Sequence, residues 1–389
     1  MSEGWIIGVD ASAVVGGGLT HLKGVFSHAD PAPHGIGRFR VFAPRRLLDQ
    51  LPARPWLEGV TCAAIEGPRW RRMLWQRMSL PDALRACDLF WVPGGFVPFR
   101  FSPLVTMPQN SLLYDLPEMR RYGWSPMRAR LQILRWSQLR SIRRAEGVIF
   151  LTEWGERLVR DTVEVKGDAC VVPHGIDASF LKSPRPQRPI ESCSEERPLR
   201  LVYVSIIDLY KHPWHVARAV AALRARGVPL EIVFAGPAYP PALRRFEAEL
   251  DALDAERRFL HYAGPVSYAE LPALYAGADI CVFASTCENL PNILLEAMGS
   301  AMPIACSDRS PMTDVLRDGG VYFDAQSPPS IESALAQLID DTALRTRLAT
   351  RARALAADYT WERCAEDTLR FLAAVAKRHS GVRRVGASA

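Results

Sequence analysis

The stretch Ala284 to Ala305, ASTCENLPNILLEAMGSAMPIA, restricts what this chain can fold into more than any other segment. It reads as the end of an apolar strand (Asp279 to Ala284), a loop (Ser285 to Leu290), a short helix and the start of another strand. Pro291 falls where a helix tolerates proline, in its first turn, and Gly299 and Pro303 end the helix. Glu288 then lies at the mouth of the loop, and Glu296 lies about one and a half turns into the helix. Two carboxylates therefore border one pocket at the carboxyl end of a sheet. That is where open α/β sheets bind nucleotides and sugars, because unpaired N–H groups of a helix N-terminus converge there. Two glutamates alone would read as a salt-bridged surface helix, so the surrounding sequence has to decide.

The same alternation recurs along the chain. Trp5 to Val9 is a short apolar strand, followed by Asp10, a loop of small residues, and Gly16-Gly17-Gly18 leading into LTHLKGVF. Strand, glycine-rich turn and helix in that order let backbone N–H groups approach a diphosphate or sugar closely. The G-x-G-x-x-G spacing of a dinucleotide site is missing, which argues against a nicotinamide or flavin, and no cofactor is expected. Further strands are expected at Arg40 to Ala43, Leu89 to Val92, Leu104 to Met107, Gly147 to Leu151 and Ala169 to Val172, with a helix over Pro126 to Arg144. Repeated β-α units imply a mostly parallel sheet covered by helices.

Residues 182–198, KSPRPQRPIESCSEERP, hold four prolines in a polar setting and no hydrophobic period, and read as a linker. A second β-α series follows, with strands at Leu199 to Val204, Leu230 to Ala235 and Phe259 to Ala263. Its helices are expected at Pro213 to Arg226, Pro241 to Asp254 and Tyr268 to Ala276. Two successive α/β domains result, 1–181 and 199–359. A closing helix over 360–381 carries an apolar stripe (Trp361, Ala365, Leu369, Leu372, Val375) that must be buried, and it is expected to cross back to the N-terminal domain. Val382 to Ala389 reads as a frayed tail.

A chain of 389 residues with 48% apolar and 23% charged residues suffices for two domains with their own cores. No run of about 20 apolar residues is present, and MSEGWIIGVD has no basic segment ahead of its apolar one, so a cytoplasmic protein is expected. The eight cysteines are scattered without a C-x-x-C pair, which disfavours a disulfide framework or a metal site. Between Glu118 and Glu146 eight arginines occur: Arg120, Arg121, Arg128, Arg130, Arg135, Arg140, Arg143 and Arg144. Such a face suits anionic lipid or a phosphate-bearing acceptor; the competing reading is a solvated helix face.

Six segments together resemble the retaining nucleotide-sugar glycosyltransferases of the family 4 and group 1 type. They are VIFLTEWGERLV from Val148, VVPHGID from Val171, YVSIIDLYKHP around Lys211, HYAGPVSYAELPALYAGADICVFAS from His261, ENLPNILLEAMGSAMPIACS from Glu288, and YTWERCAEDTLRFL from Tyr359. The resemblance covers nearly the whole chain and implies the GT-B architecture, two Rossmann-like domains facing a central cleft.

It also implies roles. Glu296 would hold the nucleotide ribose by its hydroxyls, and Glu288 would lie near the donor sugar. Lys211 would offset the charge on the departing diphosphate. Asn289, Leu290, Pro291 and Asn292 match the loop that meets sugar and phosphate. Gly264, Pro265 and Val266 match the turn against the base, and Gly16, Gly17 and Gly18 the loop that closes over the phosphates. No metal is expected, and there is no D-x-D pair to hold one.

Three departures stand out. The arginine expected five residues before the lysine is Ile206, leaving His21, Lys23 or Arg309 as substitutes. Asn289-Leu290-Pro291 replaces a glycine-rich segment. On the acceptor side Gln109-Asn110 stands where many members have a histidine, with His21 either lining the cleft or packing on its helix. The expected partners are a UDP- or GDP-sugar and a glycan or lipid-linked acceptor at the inner face of a membrane, met through 120–144, with no nucleic acid. A sugar-nucleotide epimerase or hydrolase, or a lapsed transferase serving as an assembly partner, are the rivals.

Overall fold

A computed structural model of the chain describes residues 4–380 and 384–386. It divides into two units, the first formed by Met1–Met119, Gly123–Gly175 and Thr360–Ala389, the second by Arg120–Tyr122 and Ile176–Tyr359.

The first unit contains β1 (Trp5–Asp10), β2 (Ile36–Phe42), β3 (Leu57–Val60), β4 (Leu89–Val92), β5 (Arg100–Ser102), β6 (Leu104–Thr106), β7 (Gly147–Phe150) and β8 (Asp168–Val171). Seven of them form a sheet in the order β3-β2-β1-β4-β6-β7-β8, parallel at every pairing. The second unit contains β9 (Leu199–Val204), β10 (Leu230–Ala235), β11 (Leu260–Gly264), β12 (Ile280–Phe283), β13 (Ile304–Ser307) and β14 (Val321–Phe323), also all parallel, in the order β11-β10-β9-β12-β13-β14. Strands covered by helices on both faces must be apolar on both. LRLVYV of β9 and ICVF of β12 obey this, every residue but Arg200 being buried.

In the second unit Leu201 and Tyr203 of β9 pack with Ile232 and Phe234 of β10 and with Trp214, Val220 and Leu223 of the helix Pro213–Ala225. Trp214 is thus a core residue, with the Arg245 guanidinium 3.8 Å over its ring. The proline-rich 182–198 run lies within this unit and is tied to it. Arg188 pairs with Asp279 at 2.6 Å, Arg185 donates to the carbonyls of Ala276 and Ala278, and the buried Arg345 donates to the Arg188 carbonyl. Prolines here stiffen a strap that side chains hold down.

The closing helix, Trp361–Arg378, is capped by the Thr360 hydroxyl and packs in the first unit on the helix Gly17–His28. Their approach is set by Gly24, where an added Cβ would come within 2.2 Å of the Trp361 ring. The tail expected to fray includes a short strand, β15 (Arg384–Gly386), antiparallel to β5; the rest of that tail, 382–383 and 387–389, lies outside the described residues. The short strands β3, β5 and β14 were not anticipated.

Gly24→Ala is expected to lower unfolding stability by about 1–3 kcal/mol, the usual cost of forcing extra volume into a closed contact. Urea denaturation measures it, and an unchanged midpoint would show that this helix pair has slack.

Candidate active site

Both sheets start in their middle. In the second unit β9 is flanked by β10 and β12, and the chain leaves to β10 and β11 on one side before returning to β12, β13 and β14 on the other. The connections therefore diverge beside β9 and β12, the position at which open parallel sheets bind ligands.

Each strand end there carries something useful. After β9, Asp208 caps the 3₁₀ turn Leu209–Lys211, its carboxylate accepting from Leu209 N at 2.7 Å and from the Tyr122 hydroxyl at 2.9 Å. His212 follows in the left-handed region (φ 50°, ψ 38°) and starts the helix Pro213–Ala225. After β10, Gly236 (φ 145°) passes so close that an added Cβ would lie 2.0 Å from the Ser205 carbonyl oxygen, and its N–H donates to Gly264 O at 2.8 Å. After β11, Gly264 has φ 70° with open space where a side chain would be; Pro265 is exposed and Val266 half-buried. After β12, Thr286 Oγ1 meets His212 Nε2 at 3.0 Å and its N–H donates to the Tyr210 carbonyl at 2.9 Å, which locks the two loops together.

The ammonium of Lys211 forms an ion pair with Glu288, and both side chains are largely withdrawn from solvent. Its Nζ also lies 5.1 Å from the Tyr210 ring centroid and 5.4 Å from that of Phe283. The two residues expected to act on diphosphate and sugar are thus each other's partner, a pairing between loops 77 positions apart that no local motif contains.

Glu296 lies in the helix Asn292–Gly299, buried, with Oε2 lacking a hydrogen-bond partner among the described residues. Burial pushes its carboxyl up to about 8, the Asp177 charge adding to this and the Tyr268 hydroxyl opposing it. A carboxyl held protonated offers one O–H donor and one acceptor oxygen. Neither Pro291 nor His212, at the caps of the two helices, makes a side-chain cap bond. Leu290 and Pro291 are buried and Asn289 and Asn292 half-buried, on the loop between Glu288 and that helix.

Burial lowers His212 to about 3, with Arg121, Arg245 and Arg309 among the charges that oppose its protonation. Arg121 belongs to the second unit although it comes from the 118–146 segment, and it donates to Gln326 at 2.8 Å.

In the first unit Gly17 and Gly18 open the helix Gly17–His28 behind Gly16 (φ 54°), and a Cβ on Gly18 would lie 3.5 Å from Gln109 Oε1. The fold therefore brings Gln109 to the glycine turn. Asn110 spends its side-chain oxygen on Leu112 N at 3.2 Å, as a cap. His21 does not line an accessible surface: it is fully buried, stacked on His174 at 4.7 Å and edge-on to Trp91 at 5.9 Å. Burial holds it well below the ordinary imidazole range, with the neighbouring His174 acting in the same direction. The helix that begins at Gly17 turns it inward, toward aromatic residues distant in sequence.

Sequence reasoning missed Tyr122, Asp208, Gly236 and Tyr268. Only Tyr268 had a local signal, the capping box of Ser267 and Glu270 that fixes its turn. Among the described residues no group of histidine, cysteine and acidic side chains is arranged to hold a metal, and no helix is long and apolar enough to cross a membrane.

Two parallel-sheet Rossmann-like units with this carboxyl-end site place the chain in the GT-B fold class. Residues 187–355, within the second unit, match the family described as Glycosyl transferases group 1. The chain is similar to D-inositol 3-phosphate glycosyltransferase of Salinispora arenicola, 31% identical over 43% of this chain and 39% of that protein. It is likewise similar to O-antigen chain mannosyltransferase B of Escherichia coli, 31% identical over 28% of this chain and 29% of that one. The matched stretches span well under half of these relatives' length. Among solved structures, HepE of Anabaena in complex with UDP aligns at a TM-score of 0.68 over 95% of this chain and 100% of its own, at 16% identity, a likeness of fold.

The Glu296 carboxyl, raised in the folded state from an ordinary value of 4.5, keeps its proton where the unfolded chain has lost it. Its contribution to stability is therefore full below about pH 4.5 and is lost as pH rises toward 8, with a slope of about 1.4 kcal/mol per pH unit between. Thermal denaturation from pH 6 to 8 should show the parent falling relative to Glu296→Gln, and parallel curves would remove the protonated carboxyl.

Proposed function

We propose that the protein is a glycosyltransferase that moves one sugar from a nucleoside-diphosphate donor to an acceptor hydroxyl with retention of configuration. The observation that carries this is the pairing of Lys211 with Glu288 at the point where the second sheet's connections diverge, inside the stretch that matches Glycosyl transferases group 1. In this reading Glu296 receives the ribose hydroxyls and the Gly264-Pro265-Val266 turn receives the base. Asn289, Leu290, Pro291 and Asn292 line the sugar and phosphate, and in the first unit Gly17 and Gly18 offer N–H donors suited to phosphate.

Lys211 divides its charge between Glu288 and the departing diphosphate. The sugar C1–O bond to phosphate breaks and the acceptor oxygen bonds C1 on the same face. The acceptor proton passes to the leaving phosphate oxygen, so no histidine base is needed. Arg309 and Arg121 supply the positive charge that Ile206 cannot. UDP and UDP-glucose, bound by HepE of Anabaena, are the first donors to try. A glycan or lipid-linked acceptor agrees with the O-antigen relative. Peripheral contact with the membrane's inner face is proposed through the helix Pro126–Ile142 and its approach, where Trp124, Ile133 and Trp136 are exposed among arginines.

Titration calorimetry with UDP, GDP, ADP and their common sugars tests the donor site. One nucleotide series should bind, and Glu296→Ala should weaken it by roughly tenfold or more, the cost of leaving a buried diol without its hydrogen-bond partner; unchanged binding would overturn the ribose assignment. Lys211→Ala should cut kcat by about 10²–10³ with a smaller change in donor affinity, because its charge matters most as the diphosphate leaves. Donor breakdown without acceptor would favour a hydrolase or epimerase, and tight nucleotide binding without turnover a lapsed transferase.

A further inference from the structure

A cavity of about 410 Å³ opens in the second unit at the amino ends of β9 and β12, where the strap 182–198 reaches the sheet. β9 is six residues long, which puts the loops assigned above to the donor roughly 15–20 Å away, at the other end of the same strands. Nothing in the transfer reaction uses this end. Among the described residues four arginines and a single acid line the cavity: Arg185, Arg188, Arg197, Arg200 and Asp279.

These charges do not cancel. Arg188 grips Asp279 by both carboxylate oxygens, through Nε at 3.3 Å and Nη2 at 2.6 Å. Arg185, half-buried, gives its fork to the carbonyls of Ala276 and Ala278, which fix its direction and offset only part of its charge. Arg200 reaches Glu231, which lies outside the lining, through Nε at 2.9 Å. The exposed Arg197 side chain has no partner among the described residues, while reciprocal 3.2 Å backbone bonds with Ser194 fix its place on the rim. The acids next to it are turned elsewhere, Glu195 to Arg224 and Glu196 to Ser194. A guanidinium does not shed its proton, so the excess positive charge persists at any physiological pH.

We propose that this cavity is a second anion site, separate from the donor end, that takes a small phosphate-bearing molecule: free diphosphate or the phosphate ester of a small metabolite. A concave surface of one sign concentrates its field, and guanidinium forks match phosphate oxygens two at a time. The volume suits a small molecule rather than a length of chain. Arg185, Arg197 and Arg200 supply the donors, and the Arg188–Asp279 pair forms the wall. Each of the strap's three arginines adjoins a proline, Arg185 between Pro184 and Pro186, Arg188 before Pro189 and Arg197 before Pro198. Their backbones are therefore restricted before any ligand arrives, which lowers the cost of ordering them on binding.

Titration calorimetry of the full chain with sodium pyrophosphate, and with ribose 5-phosphate against ribose, tests it. At least one of the two phosphates should bind and ribose should not; the tighter of the two tells free diphosphate from an ester. Added salt should weaken the binding. Arg197→Glu should weaken it by at least about tenfold, a charge-assisted contact having become a repulsion. Because that side chain is exposed and unpaired among the described residues, thermal unfolding of the variant without ligand should match the parent's. Lys211→Ala, which strips the donor end of its cation, should retain this binding, and adding Arg197→Glu to it should remove it. No binding by the parent, binding untouched by Arg197→Glu, or binding abolished by Lys211→Ala alone would each overturn the proposal. The transferase reading stands or falls separately, on the nucleotide titration.

Discussion

A parallel sheet whose first strand is central sends its connections out on both sides. Right-handed crossovers then put the helices of one half on one face and those of the other half on the opposite face. At the carboxyl edge the loops must part, and no neighbouring backbone fills the gap. Every feature of the second unit's site follows from this. The loops after β9 and β12 face each other across the gap, which brings Lys211 to Glu288 and His212 to Thr286. The helices starting at Pro213 and Asn292 open there without side-chain caps.

Burying charge in such a gap has consequences. Two loops carrying Asp208, Lys211 and Glu288 would be unfavourable as isolated buried groups, since an unpaired charge withdrawn from water costs several kcal/mol. The structure answers with partners: Tyr122 and a backbone N–H for Asp208, Glu288 for Lys211, and two aromatic faces for the ammonium. Glu296 is the exception. It gains Tyr268 but keeps one oxygen without a partner, and burial answers by keeping the carboxyl protonated. An unsatisfied buried group in an otherwise well-paired neighbourhood is what a binding site gives up in stability for a ligand.

Much of the fold was legible because buried parallel strands are short apolar runs between helices. Leu199–Val204 and Leu230–Ala235 could be read to the residue. The edge strands β3 and β14 could not, since LEGV and VYF are short and only partly buried. For the site, residue types and order were readable within each motif, whereas partnerships between motifs were not. His21, following a glycine turn, could be read as lining the cleft or as packing on its helix. Only the fold shows His174 and Trp361 closing over it. Asn110, read from the sequence on the acceptor side, accepts the Leu112 N–H as a cap, a bond between neighbours that the motif did not reveal.

Ile206 shows why local reading of a charged site runs out. A diphosphate site needs positive charge within a few ångströms, but electrostatics does not care which segment supplies it. In the second unit Arg121 comes from a segment more than eighty positions upstream, and Arg245 and Arg309 come from loops and helices beyond other strands. All three bear on His212, beside Lys211, strongly enough to oppose its protonation. An imidazole kept neutral there leaves Lys211 as the adjacent cation, whose one anionic partner, Glu288, can be shared with or exchanged for phosphate. On the proposed donor reading, the positive charge that Ile206 does not carry comes from the rim, where exposed arginines stay hydrated and cost little to keep.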